Sequence, residues 1–499
     1  MKKYKTFLEM AHIAENLQQA YLCYENANFY CTDDSVECQN LCWNEMEKLK
    51  IEAEIVVPKT AIVIVSYNNA ELMKACVESI RKNCSALTYH LIVVDNASSD
   101  GIVTWLRKQR DITLVENEKN MGFPYACNQG IAMAEPDEDI FLLNNDTIVP
   151  PDALFWLRMG LYENEHIGAV GSVSNSVVNY QQVEEQFDTI EEWMSYAKQT
   201  NVYMEHPYEK KGWLVGFAML IKRKALDTVL CAEEKQFGQL QEVLDTRFSP
   251  GNFEDNDLSI RLLLQGYELL ICRNSFIFHH GGKSFGKNTS HYIRLLVENQ
   301  KKLEEKYGID YVPFGRIETA LVDLIKAGAE DEIEVLELGC KLGATLARIQ
   351  SRFPNANICG TEVREKLAIL AKHVVPLRKE NELIMENYDY VILDQILEAV
   401  DQPGGLLERA KKLLKKEGKL LVSVRNRQCV REESTGFSLD EIVNLFEMCG
   451  LKLQEFNYRA LQCSKKEQDR LEKIRSHVAP SEMPLYVAEK YVFSAVKKS

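Results

Sequence analysis

The sequence predicts an α/β protein built from two successive, mainly parallel sheets, with a helical segment in front of them. Three observations carry this. The chain has 499 residues, too many for a single hydrophobic core. From Thr60 onward, short apolar runs ending in small polar or acidic residues alternate with amphipathic helical patterns, which argues for a sheet covered on both faces. The same alternation starts afresh near Glu332.

Taken in order, residues 1–58 read as helical. Leu8, Ala11, Ala14, Leu17, Ala20, Tyr21 and Tyr24 recur near helical spacing, and a second segment runs from Val36 to about Leu49. The pair reads either as one tetratricopeptide-like hairpin or as a helical cap on the unit that follows. The first α/β unit is expected over 59–300. In it Ala61–Val65 is a strand, Ala70–Lys82 a helix, Leu91–Val94 a strand ending at Asp95-Asn96, and Ile140–Leu143 a strand ending at Asn144-Asn145-Asp146. A helical connector with the charge run Lys301–Lys306 covers 301–331. The second unit, 332–465, opens with the strand Glu334–Leu338, the turn Gly339–Gly343 and a helix to Arg352; further strands fall at Ile358–Gly360, Tyr390–Leu393 and Gly418–Val424. Residues 466–499 read as a charged, peripheral tail.

Composition narrows the function. The chain is 46% hydrophobic and 27% charged, which excludes collagen-like and largely disordered proteins. Its 59 Lys+Arg against 74 Asp+Glu give a net charge of −15, a poor basis for nonspecific nucleic-acid or anionic-lipid binding. The longest apolar run, Gly212–Ile221, is about half of what a bilayer-spanning helix needs, and the basic start Met1–Lys5 leads into Glu9, His12 and Glu15 rather than a signal-peptide core. Of the 14 cysteines none forms a Cys-x-x-Cys pair, so free thiols in a reducing cytoplasm are expected rather than a zinc ribbon, a thioredoxin-type site or a disulfide framework.

Four polar clusters stand out in the first unit: Val65-Ser66-Tyr67-Asn68, the run from Val93 through Asp95 and Asn96 to Gly101, Leu143-Asn144-Asn145-Asp146, and Phe253-Glu254-Asp255-Asn256-Asp257. Singly, each has a structural reading: Asp95 and Asn96 can start a turn, and Asp255 can cap a helix over Asp257–Leu264. Ligands of parallel sheets bind outside the carboxyl ends of the strands, where the first three clusters lie.

In this order, with Asn120-Met121-Gly122-Phe123 and Asn128-Gln129-Gly130 between them, the clusters resemble a family-2 glycosyltransferase of Rossmann-like GT-A fold over about 60–300. The resemblance implies that Ser66, Tyr67, Asn68, Asp95 and Asn96 serve the nucleotide base and ribose. It implies that Asn120, Gly122 and Asn128 line the nucleotide and sugar. Asn144-Asn145-Asp146 matches an Asp-x-Asp element whose last acid meets a metal, Mn²⁺ or Mg²⁺. Glu254-Asp255 matches the acidic pair carrying the catalytic base, with Asp255 preferred and Glu254 its rival. His279, rather than His280, matches a histidine that completes the metal site, on its spacing to Ser284. Gly212–Ala218, with Trp213 and Gly216, resembles the acceptor-side segment. The implied activity is inverting transfer of a sugar from a nucleotide-diphosphate donor, such as a UDP- or dTDP-sugar, to a protein or glycan hydroxyl. Such a reaction needs a cation on the departing diphosphate and a base for the acceptor hydroxyl. The Gln-x-x-Arg-Trp signature of processive relatives is absent near Gln265, so addition of one or a few sugars is expected.

In the second unit, Val335-Leu336-Glu337-Leu338-Gly339-Cys340-Lys341-Leu342-Gly343, with Glu362 at the end of the next strand, resembles class I methyltransferases. Lys341 stands where that family has a glycine close to the cofactor. The departure implies poor S-adenosylmethionine binding and a degenerate domain serving stability, homodimer formation or acceptor recognition. For the chain as a whole the alternatives are a bifunctional glycosyltransferase/methyltransferase acting on a surface glycan, and a noncatalytic glycan- or nucleotide-binding module whose site is retained but inactive.

Overall fold

The structure is a computed structural model that describes every residue except 1–2, 32–35, 179, 231–241, 282–288, 432–434, 462, 476, 480–481 and 499. Ser284, used above to choose between the two histidines, lies outside the described residues, as does Cys231. The chain divides into two compact units, Met1–Tyr311 and Val312–Ser499. No helix among the described residues is long and apolar enough to cross a membrane.

The first unit is built on strands β1 (Thr60–Ser66), β2 (Tyr89–Asp95), β3 (Ile112–Glu116), β4 (Asp139–Asn144), β5 (Thr147–Ile148), β6 (Ile167–Val173), β7 (Tyr208–Lys211), β8 (Ala218–Ile221), β9 (Glu268–Phe276) and β10 (Phe278–His279). Eight of them form one sheet in the order β3-β2-β1-β4-β8-β6-β9-β7, and β5 pairs with β10 in a small separate ribbon. β1 to β4 run parallel; β8 is antiparallel to both β4 and β6. The β-branched runs of β1 and β2 are buried, as strands covered on both faces must be. The helix Ala70–Asn83 contributes Met73, Cys76, Val77 and Ile80 to the core, the i, i+3, i+4, i+7 stripe that seats a helix on a sheet. The helix Phe123–Ala132 approaches closely, because a Cβ on Gly130 would lie 2.3 Å from Val63 Cγ1.

The N-terminal segment forms three helices, Lys3–Ile13, Leu17–Tyr30 and Val36–Glu52, rather than two. Phe7, Tyr21, Leu22 and Met46 share one apolar cluster with Ile62, Ile64 and Phe141 of the sheet, so these helices cap the first unit. The partly buried Glu25 ion-pairs with the buried Arg158, which also donates to Pro58 O at 3.0 Å. At the far end, the helix Thr289–Tyr307 belongs to the same unit and runs past the expected boundary at 300. Asn299 Nδ2 donates to the carbonyls of Phe248, Gly251 and Asn252 at 2.8–3.1 Å, and Lys306 ion-pairs with Asp245 at 2.8 Å and with the fully buried Asp257.

The second unit is a six-stranded sheet of β11 (Glu334–Leu338), β12 (Asn357–Thr361), β13 (Tyr388–Asp394), β14 (Leu414–Arg425), β15 (Leu451–Ala460) and β16 (Ala488–Lys497), in the order β12-β11-β13-β14-β16-β15. The last strand corrects the expectation of a peripheral tail. β16 inserts antiparallel between β14 and β15, and its Tyr491, Phe493 and Ala495 are buried. A second correction concerns the thiols: Cys31 and Cys38 form a disulfide, while the other described cysteines are free.

Candidate active site

Parallel pairing brings the polar strand ends together. Ser66 stands opposite Asp95 across β1 and β2, and Val65 opposite Asn144 across β1 and β4. Ser66 and Asp95 are buried. Asp95 Oδ2 accepts the Ser98 N–H at 2.9 Å, but neither Asp95 Oδ1 nor Ser66 Oγ has a hydrogen-bond partner among the described residues. A buried acceptor without a partner costs about 1–3 kcal/mol, and a ligand hydroxyl would remove that cost. Tyr67 is exposed, and Asn68 sits at φ +58°. Asn68 N donates to Ser98 Oγ at 2.8 Å, and Asn68 Oδ1 accepts the Ser99 N–H at 2.9 Å, which ties the loop after β1 to the loop after β2.

The asparagines divide into two groups. Asn96 is an organiser: its Nδ2 donates to Asn120 Oδ1 at 2.9 Å, and its Oδ1 accepts from Met121 N at 2.9 Å and Asn117 Nδ2 at 3.2 Å. Asn120 Oδ1 also receives the Gly122 N–H at 2.9 Å. Gly122 is required twice over, since its φ is +87° and a Cβ there would lie 2.9 Å from Ser249 Oγ and 3.2 Å from Pro250 Cα. Asn128 departs from the expected donor-lining role. It is buried and clamps a distant segment, accepting from Val243 N and Leu244 N at 3.1 and 2.8 Å and donating to Leu244 O at 2.8 Å. These bonds use its amide oxygen and nitrogen, so it acts as a brace behind the loop.

Asp146 and His279 meet because the β5–β10 ribbon pairs Thr147 with His279. His279 Nε2 lies 3.1 Å from Asp146 Oδ1 and 3.4 Å from Asn144 Nδ2. Its Nδ1 donates to Ser176 O, 2.6 Å away, an arrangement that turns Nε2 toward the site as a potential metal ligand. Burial disfavours the charged imidazole, but the Asp146 carboxylate and the Ser176 carbonyl outweigh it and raise the His279 pKa. Phe217 stacks on the ring at 5.3 Å, and Asn175 brackets the His279 backbone, accepting its N–H at 2.9 Å and donating to its carbonyl at 3.0 Å. Asn145 is buried beside Asp146. Asn175 and Ser176 escape sequence reasoning, and the polar triplet Ser174-Asn175-Ser176 directly after β6 is the signal that could have found them; Phe217, inside the segment Gly212–Ala218 read as acceptor-side, stacks on the imidazole instead. An acid and an imidazole with a fixed tautomer are a donor set that suits Mn²⁺ or Mg²⁺ bound chiefly through substrate phosphates and water.

The acidic pair occupies the first turn of the helix Glu254–Leu264, with Phe253 at the N-cap position, not before a helix starting at Asp257. Asp255 Oδ2 accepts the Gly216 N–H at 3.0 Å and Oδ1 accepts the Asn256 N–H at 2.8 Å. A Cβ on Gly216 would lie 3.4 Å from Asp255 Cβ, so the segment leading to β8 packs directly on the acid. The same segment carries the half-buried Trp213 and is held by Gln181, whose Oε1 accepts the Val215 N–H at 2.9 Å. Glu254 is buried, and its Oε2 has no hydrogen-bond partner among the described residues. Burial, then the charge of Asp255, raises the Glu254 pKa well above its ordinary value. Burial also raises Asp255, against the two backbone N–H groups that favour its charged form. Two adjacent carboxyls in such a setting titrate as a coupled pair, and of the two it is Asp255 that has a backbone donor on each oxygen.

The second unit has its own strand-end cluster around Lys341. Lys341 adopts φ +57°. Its ammonium ion-pairs with the buried Asp394, and its N–H donates to Glu362 Oε2 at 2.9 Å. Arg364 engages both oxygens of Glu362 at 2.7 Å. Both oxygens of Glu362 are thereby occupied by donors of this chain.

Residues 61–230 match the family model described as Glycosyl transferase family 2, and residues 314–472 match one described as Methyltransferase domain. No curated protein matches the chain. Among solved structures, the mannosyltransferase PcManGT from Pyrobaculum calidifontis, in complex with GDP-Man and Mn²⁺, is 15% identical over 72% of this chain and 86% of that one, with a TM-score of 0.35. GalNAc-T7 with UDP, GalNAc and Mn²⁺ is 14% identical over 52% of each chain, with a TM-score of 0.36. An S-adenosylmethionine-dependent methyltransferase from Mesorhizobium loti is 13% identical over 36% of this chain and 95% of that one, with a TM-score of 0.27. The chain therefore joins a family-2 glycosyltransferase domain, matched over 61–230, to a methyltransferase-type domain, matched over 314–472.

Proposed function

We propose that the first unit transfers a sugar, with inversion, from a nucleotide-diphosphate donor to a hydroxyl of a protein or glycan acceptor. The observation that carries this reading is the placement of Asp255: each of its carboxylate oxygens accepts a backbone N–H, from Gly216 and from Asn256, and the segment leading to β8 packs directly on it. Asp255 is then the base that takes the acceptor proton as its oxygen attacks the anomeric carbon. Asp95 and Ser66, with unanswered acceptors, suit the ribose and base of a UDP- or dTDP-sugar. Gly216 and Trp213 belong to the acceptor side. Asp146 and His279 would hold a Mn²⁺ or Mg²⁺ ion, which when bound neutralises the departing diphosphate. Adjacent acids on one helical turn do not straddle a glycosidic bond in the way the two carboxyls of a glycosidase do.

The methyltransferase-type match favours a second reading, a bifunctional enzyme that also methylates its product. Lys341 and the saturated Glu362 oppose it and support a role for this unit in stability, self-association or acceptor recognition. The deciding experiment incubates the purified protein and Mn²⁺ or Mg²⁺ with a panel of UDP-, dTDP- and GDP-sugars and follows release of the nucleoside diphosphate. Slow donor hydrolysis that depends on Asp255 supports the proposal; binding of no nucleotide under any metal condition overturns it.

A further inference from the structure

Outside the proposed active site, three sulfur atoms converge where the N-terminal helices meet. Cys31 is the C-cap residue of the helix Leu17–Tyr30, and its N–H is bonded to the carbonyls of Ala27 and Asn28. Cys38 and Cys42 are four residues apart on the helix Val36–Glu52, so they share one helical face. The Sγ atoms of all three lie within 4.8 Å of one another. Cys31 and Cys42 are buried and Cys38 is partly so. Cys31 and Cys38 are joined as a disulfide, and Cys42 is a free thiol beside them.

We propose that Cys31, Cys38 and Cys42 form a redox-gated metal centre that takes one soft d¹⁰ cation, Zn²⁺, when the Cys31–Cys38 bond is reduced. Zn–S bonds of about 2.3 Å in a tetrahedral set hold sulfurs about 3.8 Å apart, and the three sulfurs here lie within 4.8 Å of one another. The donor set selects a soft cation over Mg²⁺ or Ca²⁺, and three thiolates leave one position for water. Reduction by a dithiol moves two electrons and two protons onto the Cys31 and Cys38 sulfurs while the dithiol closes to its own disulfide. Zn²⁺ then displaces the three thiol protons. The sulfurs coordinate as thiolates.

Both states link the helix Leu17–Tyr30 to the helix Val36–Glu52, the disulfide through two sulfurs and the metal through three. The inference is independent of the glycosyltransferase reading. The test is a Co²⁺ titration of the full-length protein, reduced with a dithiol, desalted without oxygen, and monitored for the near-ultraviolet sulfur-to-cobalt charge-transfer band. The Asp146–His279 site offers oxygen and nitrogen donors and contributes no such band. The band should saturate at one ion per chain and vanish on Zn²⁺ addition. It should be absent from the oxidised protein, lost in Cys42→Ser and in Cys38→Ser, and retained in Cys463→Ser. Cys38 is only partly buried, so that variant keeps the test meaningful if Cys42→Ser fails to fold. Absence of the band in the reduced protein overturns the proposal, as does an unchanged band in the oxidised protein or in folded Cys38→Ser.

Discussion

Replacing the two members of the acidic pair by their amides should give opposite results. Asp255→Asn removes the anion and keeps the shape. Its single amide oxygen can keep one of the two N–H groups that the carboxylate accepts, from Gly216 at 3.0 Å and Asn256 at 2.8 Å. The other then faces an NH₂ group, at a cost of about 1–3 kcal/mol in stability. That penalty is partly offset, because the variant no longer buries an anion beside Glu254. Catalysis should suffer far more: loss of a general base costs about 10²–10⁴-fold in turnover, or about 2.7–5.5 kcal/mol of barrier. Glu254→Gln, by contrast, replaces a carboxyl whose pKa is raised by burial and by the charge of Asp255, so turnover should stay within about threefold, far inside the range of a lost base. Calorimetric donor binding and steady-state transfer, measured on both variants, decide the matter. Near wild-type turnover in Asp255→Asn, or collapse in Glu254→Gln, would refute the division of roles.

Asp146→Ala should weaken nucleotide-diphosphate binding and abolish its metal dependence, with a milder loss in His279→Ala; calorimetry with and without Mn²⁺ checks both, and chelator-insensitive transfer by the wild type would oppose the metal-assisted reading. Gly122→Ala places a side chain at φ +87° against Ser249 and Pro250, and should cost about 2–5 kcal/mol from backbone strain and overpacking, read as a lower denaturation midpoint. Because the Asp255 pKa is raised, transfer should rise with pH and reach half its maximum above the ordinary aspartate value of 3.8; a midpoint at or below it would contradict the assigned environment. Burial raises the Glu337 pKa well above its ordinary value, helped by the charge of Asp394, so its contribution to folding is complete below 4.5 and is lost as pH climbs through the elevated value. Glu337→Gln should therefore stabilise the second unit at alkaline pH and be nearly neutral in acid, as thermal melts across pH would show.

Much of this arrangement was legible in the sequence, because it rests on local pattern. Buried runs such as Ala61–Val65 and Leu91–Val94, each closed by polar residues, identify parallel strands and the edge where a site forms, and the adjacent Glu254-Asp255 needs no partner to be noticed. What escaped depends on long-range pairing. Asn128 looks like a ligand-facing amide until Val243 and Leu244, more than a hundred residues away, are seen to occupy its side chain. The support of His279 by Asn175 and Ser176 spans a similar separation. β16 was hidden by composition: the charged stretch before it masks the alternation of Tyr491, Phe493 and Ala495, and its slot between β14 and β15 is set by tertiary pairing. Cys31 and Cys38 are seven residues apart, a spacing with no motif of its own, and a helix end had to turn one toward the other.

The two sheets place polar clusters at equivalent positions, and the contrast between those clusters argues for their different uses. At the ends of β1 and β2, Ser66 Oγ and Asp95 Oδ1 are buried acceptors without partners among the described residues, and Glu254 Oε2 repeats the pattern nearby. Folding tolerates such costs where a ligand later removes them. At the ends of β11 to β13, the chain supplies its own answers: Lys341 to Asp394, Arg364 to both oxygens of Glu362, and Ser423 Oγ to Asp394 Oδ1 at 2.5 Å. Glu337 Oε2 has no partner among the described residues, and burial raises the pKa of that carboxyl. A site filled by its own side chains has little to gain from a cofactor and much to lose if they are removed. Lys341→Gly should therefore leave Asp394 a buried charge without its ion-pair partner and destabilise the second unit by up to about 3–5 kcal/mol, less to the extent that Ser423 and Lys490 still favour the charge or that Asp394 takes up a proton. S-adenosylmethionine should leave the melting temperature of the wild type unchanged. A cofactor-induced stabilisation of the wild type, or a Lys341→Gly variant as stable as its parent, would show that the ammonium does not fill the site.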